Sequence, residues 1–170
     1  MRWRVDHPLD VSVDEALAAA LDPATLTRVP AYMPLVRSAV RVSQESLDAR
    51  RVAVVDRFEP MIDPPPFARG VTREMLGWDL CLTWDRVTRI ADFVIDPHVK
   101  DEWKRYAVVS GTYRFEARGA SSARVIDATL EIRVPWVGPL AERFAVKTLS
   151  EQFAGEARLL EASAKGRRAG

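Results

Sequence analysis

Acid–base, nucleophilic and metal chemistry near neutral pH falls mostly to histidine, cysteine and carboxylate side chains. This chain has two histidines, His7 and His98, and a single cysteine, Cys81. The segment "DPHVKDE" places Asp96, His98, Asp101 and Glu102 close together. That spacing matches no zinc or calcium pattern, so the segment is expected to be a solvated loop and no metal is expected. With no second histidine nearby, and no G-x-S-x-G, Walker or G-x-G-x-x-G signature, nucleophilic, phosphoryl-transfer and dinucleotide chemistry have no anchor, and no cofactor is expected. Cys81 in "DLCLTW" rules out an internal disulfide and reads as a small buried hydrophobe in a reducing compartment. Two polar groups fall on otherwise apolar faces. Asp56 shares its strand face with Val52, Val54 and Phe58, and a carboxylate there has to be paired, hydrogen-bonded or protonated. One reading is a salt bridge to a neighbouring arginine at the sheet rim. The other is a group that orients a ligand hydroxyl or acts as a general base with a raised pKa. Tyr113 likewise reads either as a core phenol with a backbone partner or as a hydrogen-bond donor to a ligand.

The elements that position these groups follow from hydrophobic periodicity. "RWRVDH" alternates as a first strand, and "SVDEALAAAL" opens with Ser12 and Glu15 at capping-box spacing. That helix is expected to end at Leu21. Asp22-Pro23 then starts a second short helix that Pro30 or Pro34 stops. "LVRSAVRVSQESL" and "RRVAVVDRFEP" form an antiparallel hairpin, and residues 61–77, with three consecutive prolines, interrupt the sheet. "WDLCLTWDR", "TRIADFVID", "YAVVSGTYRFEAR" and "ARVIDATLEIRV" supply the remaining strands, for about seven in all.

The stretch "EIRVPWVGPLAERF" changes period in its middle, passing from strand alternation through Pro135–Pro139 into a helical pattern. In the long helix that follows, Val146, Leu149, Phe153, Ala157, Leu160 and Ala164 fall within a stripe of roughly 80°. Only the apolar face of the sheet is large enough to bury it, so Gly138-Pro139 is expected to turn the helix back across the strands. Large aromatics on the strands are then expected to line a pocket opposite the small residues Ala154, Gly155 and Ala157.

Hydrophobic content of 48% and charged content of 29% belong to an ordinary globular protein, and a net charge of +1 argues against a nucleic-acid partner. "MRWRVDHPLD" has no apolar leader core, and no run approaches the ~20 apolar residues of a membrane span, so a cytoplasmic protein is expected. The length suggests one domain over residues 1–164, with 165–170 as a disordered tail.

This element order resembles the START-like (SRPBCC, helix-grip) superfamily of polyketide cyclases, birch-pollen-allergen-like proteins and lipid-transfer domains, over nearly the whole chain. "VPWVGPLAERF" is similar to a junction of uncharacterised bacterial members, and "YMPLVRSAVRVSQESLDARR" to the early strands of PRELI-type lipid-transfer proteins. The resemblance implies an α+β helix-grip fold, in which a curved antiparallel sheet wraps the C-terminal helix and a cavity between them takes an apolar ligand. The expected ligand-binding residues are Asp56, Phe58, Trp84, Tyr113, Phe115, Leu149 and Phe153. Trp136 and Phe144 join them in a lid formed where the 135–144 hinge meets "MIDPPPFARGV". The expected function is binding or transport of a hydrophobic small molecule or lipid. Transient membrane-surface contact and a homodimer are further expectations. The rival readings are a cyclase or hydratase working through Asp56 or Tyr113, and a solid-core interaction module.

Overall fold

The computed structural model describes residues 1–61, 63, 72–105, 107–133 and 138–168, apart from the side chains at 103, 139–141, 144 and 168. Seven strands form one antiparallel sheet: β1 (Arg2–Leu9), β2 (Val36–Ser46), β3 (Arg51–Pro60), β4 (Trp78–Asp85), β5 (Ile90–Pro97), β6 (Ala107–Arg118) and β7 (Ser121–Ile132). Their spatial order is β1-β7-β6-β5-β4-β3-β2. The chain therefore leaves one edge after β1 and enters the other at β2. It bridges that gap with three short helices, α1 (Val13–Leu21), α2 (Pro23–Leu26) and α3 (Val29–Tyr32), then returns as a meander.

Local chemistry sets these boundaries. The Ser12 hydroxyl accepts from the Glu15 amide at 3.3 Å while the Glu15 carboxylate accepts from the Ser12 amide at 2.8 Å, completing the expected capping box. Asp22 ends α1, and its carboxylate caps α2 by accepting from the Ala24 amide at 2.9 Å. The second expected helix is split: Pro30 sits in the first turn of α3, where a missing N–H costs nothing, so it starts a helix instead of stopping one. β6 and β7 join through the two-residue turn Gly119-Ala120, with Gly119 at φ +67°. At Gly111 the two strands come so close that a Cβ would lie 2.1 Å from the Asp127 carbonyl oxygen.

Alternation is regular along β3 and β4. Val52, Val54, Asp56 and Phe58 of β3 and Leu80, Leu82 and Trp84 of β4 are buried on the inner face. The long helix α5 (Gly138–Arg168) lies on that face, so the expected helix-grip arrangement is present. Near its end Lys165 pairs with Asp10 and Glu161, and Arg167 with Asp22. The expected stripe is buried at Phe153, Ala157, Leu160 and Ala164. It is wider than periodicity suggested, because Gln152, Leu159 and Ser163 are buried too. A further short helix, α4 (Asp101–Lys104), interrupts the expected loop after β5. There Lys104 pairs with Asp96 and Asp101, and His98 bonds Asp79 at 2.8 Å. Among the described residues no helix is long and apolar enough to cross a membrane.

Candidate functional site

α5 packs on β1, β7 and the three short helices. The approach is tightest at Gly155, where a Cβ would lie 2.4 Å from the Tyr32 carbonyl oxygen and 3.2 Å from Met33 Cγ. Gly155 therefore makes room for backbone, not for the ligand that sequence reasoning placed opposite it. Held down at this point, the helix leaves its earlier turns facing the inner surface of β3–β6 across a cavity of about 440 Å³. Phe58, Trp78, Leu80, Ile95, Val109 and Tyr113 form its sheet wall, and Thr148, Leu149, Gln152, Phe153 and Glu156 its helix wall. Met33 and Leu35 contribute from the α3–β2 connection, while Pro60, Met75, Leu76, Gly77, Pro97 and Val99 complete the lining. Aromatic pairs stiffen the sheet wall: Phe58 and Trp78 stack 5.4 Å apart, and Phe93 sits 4.6 Å from Tyr113.

A polar group lies against the inner end of this apolar space. Arg124 is 1% exposed and shares the inward parity of Ile126, Ala128 and Leu130 on β7. Its guanidinium donates to the Phe153 carbonyl at 2.9 Å and to the Glu156 carboxylate, and lies 4.7 Å from the centre of the Tyr113 ring. Two polar atoms are left over. The Tyr113 hydroxyl and Gln152 Oε1 are buried and have no hydrogen-bond partner. Burial, reinforced by the Glu156 carboxylate and opposed by the Arg124 guanidinium, pushes the Tyr113 hydroxyl well above its ordinary pKa near 10, so it stays protonated and able to donate.

Phe58, Tyr113, Leu149 and Phe153, four of the expected ligand-binding residues, meet in the main cavity. Asp56, Trp84 and Phe115 instead line an adjoining, much smaller void of about 30 Å³. Asp56 pairs with Arg41 directly across the β2–β3 ladder, and Arg41 also donates to the Ala20 and Leu21 carbonyls at the end of α1. Burial raises the Asp56 pKa and the guanidinium opposes that shift. Its carboxylate is thus tied through Arg41 to the end of α1, in a salt bridge that is buried and not at an exposed rim. Trp136 lies outside the described residues, as do most of 61–71 and the side chain of Phe144, so the expected lid is not placed. Its described flanks, Pro60, Met75 and Leu76, do line the cavity. Sequence reasoning missed Arg124, Gln152 and Glu156. Strict alternation along "ARVIDATLEI" carries the signal for Arg124. For Gln152 and Glu156, the i, i+4 spacing beside Phe153 puts both on one helical side.

A family model described as "Protein of unknown function (DUF2505)" matches residues 4–162. No curated protein matches the chain. Among solved structures, TTHA0849 from Thermus thermophilus superposes with a TM-score of 0.69 at 17% identity, covering 98% of this chain and 99% of that one. The Zhui aromatase/cyclase from a Streptomyces species gives 0.66 at 12% identity over 98% and 96%. A START superfamily protein from Mycobacterium smegmatis gives 0.57 at 12% over 97% of each chain. At these identities the likeness is one of fold.

Proposed function

The chain belongs to the DUF2505 family and has a START-like fold, and from its cavity we propose that it binds or carries a hydrophobic small molecule between the sheet and α5. The observation that carries this reading is the cavity of about 440 Å³, walled by aromatic and aliphatic side chains. That is about fifteen times the ~30 Å³ a water occupies in the liquid, room for a ligand of many non-hydrogen atoms. It falls within the ordinary size range of small-molecule sites, which pair apolar walls with a few polar groups. A solid-core interaction module would have filled this space with side chains. Uptake from a membrane surface is part of the proposal. Leu35, 41% exposed, both lines the cavity and bonds through its carbonyl to the amide of Met61, 48% exposed, so apolar surface continues outward from the cavity.

The test is a cavity-filling substitution. Val109 lines the space from β6 and is only partly buried, so Val109→Trp can place its indole in the void. Binding of the neutral dye N-phenyl-1-naphthylamine, read by fluorescence, should be saturable in the wild type. In Val109→Trp it should weaken by at least about tenfold, with melting temperature held or raised. Undiminished dye binding in Val109→Trp would contradict the proposal.

A further inference from the structure

The cavity offers hydrogen bonds that nothing in the protein uses. Tyr113 is 2% exposed and Gln152 8%, and the hydroxyl of one and Oε1 of the other have no partner. An unmade hydrogen bond in a low-dielectric interior is costly, and native proteins keep such groups where a ligand or water completes them. Both residues line the same cavity, together with Glu156, one helical turn beyond Gln152. The charge here is one-sided. Among the described lining residues there is no lysine or arginine, and Glu156 is the one carboxylate. The nearby cation, Arg124, is occupied by Glu156, by the Phe153 carbonyl and by the Tyr113 ring face, and lies in the adjoining void, outside the main lining. An anionic ligand end would therefore lie beside the Glu156 carboxylate with no lysine or arginine of the lining to neutralise it. A neutral hydroxyl would accept from Tyr113 and donate to Gln152 Oε1.

We infer that the cavity selects an apolar ligand carrying an uncharged hydroxyl, such as a phenol, enol or alcohol, read by Tyr113 and Gln152, and discriminates against carboxylates of the same skeleton. This assignment rests on the cavity being a ligand site. It also implies that the two groups are kept for the ligand and not for the fold.

Three probes of one skeleton test it: naphthalene, 2-naphthol and 2-naphthoate, titrated near neutral pH into wild type, Tyr113→Phe and Gln152→Leu by displacement of N-phenyl-1-naphthylamine. In the wild type, 2-naphthol should bind about tenfold tighter than naphthalene, as expected for two net hydrogen bonds, and 2-naphthoate weaker than both. Each variant should lose several-fold in affinity for 2-naphthol with naphthalene unchanged, and each should melt at or above the wild-type temperature, since an unsatisfied buried group has been removed. 2-Naphthoate binding as tightly as 2-naphthol, or a naphthol preference that survives in both variants, would overturn the hydroxyl assignment while leaving the cavity reading intact. If naphthalene and the dye also fail to bind the wild type, the cavity reading falls, and this assignment with it.

Discussion

Arg124 shows how one buried side chain can organise a site it does not enter. A fully buried guanidinium is tolerable only when its donors are used, and here Phe153, Glu156 and the Tyr113 ring surround it. Arg124→Leu should therefore cost about 3 kcal/mol in chemical denaturation, because it leaves the Glu156 carboxylate without its partner. A loss below about 1 kcal/mol would show that the pair is not what holds β7 to α5. His7, opposite Arg124 in the β1–β7 ladder, is the protein's pH-sensitive partner. Burial first, then the Arg124 charge, lower its pKa against the pull of Asp6, with a smaller push from Arg158, and its Nδ1 is buried without a partner. Below the ordinary histidine pKa of about 6.5 the unfolded chain binds a proton that the folded chain refuses. The stability contribution is thus complete above about 6.5 and is lost as pH falls through the lowered folded value. Urea midpoints should drop on acidification through this window, and His7→Gln should flatten the dependence. A wild-type midpoint that rises on acidification would contradict the assignment. At this scale Asp56 and Tyr113 were legible as polar intruders on apolar faces. Which cation each would meet was not, because that depends on strand register and on the bulge between Arg41 and Ser43.

The helix α5 divides into a half that packs and a half that faces the cavity, and Gly155 lies at the division. Alanine is the better helix former by roughly 1 kcal/mol. Yet Gly155→Ala puts a methyl 2.4 Å from a backbone oxygen that cannot move without shifting α3, so it should lower the melting temperature despite its propensity. An unchanged or raised melting temperature would mean the contact yields freely. Phe153 sits between the two halves, 5.8 Å from Tyr113 and 6.3 Å from Phe93 in edge-on contacts. Phe153→Ala should cost ~3 kcal/mol, the low end for a buried phenylalanine since one side already faces the void, and should also change dye affinity. A loss of stability with dye affinity unchanged would place Phe153 in the core alone. The apolar stripe and the period change at Pro135–Pro139 were readable because both are local patterns. The place where the helix touches down was not, because it depends on the backbone path of α3, which no spacing within α5 reports. We propose that the 61–71 and 135–144 segments form a lid over the cavity mouth. Trp136→Ala and Phe144→Ala should alter dye uptake and release rates with little change in stability, and core-like destabilisation with constant rates would refute it.

At the scale of the whole molecule, the cavity is a consequence of topology. Placing β1 beside β7 and sending three short helices to the far edge anchors α5 over one side of the sheet, where β1, β7, α1, α2 and α3 all meet it. The meander strands β3–β6 curve past this anchor and present an inner face that the helix does not fill. Element order and strand alternation made the helix-grip arrangement legible in the sequence. Cavity volume was not, since it is a small difference between the space the backbone encloses and the side chains that enter it. Whether an apolar ligand lies in this space or on the outer surface can be read by isotope-filtered nuclear Overhauser spectroscopy of methyl-labelled protein with bound 2-naphthol. Intermolecular contacts are expected to the methyl groups of Leu80, Ile95, Val109 and Leu149. Contacts confined to the exposed methyls of Val40, Val42 and Val94 on the outer face would contradict a ligand in the cavity.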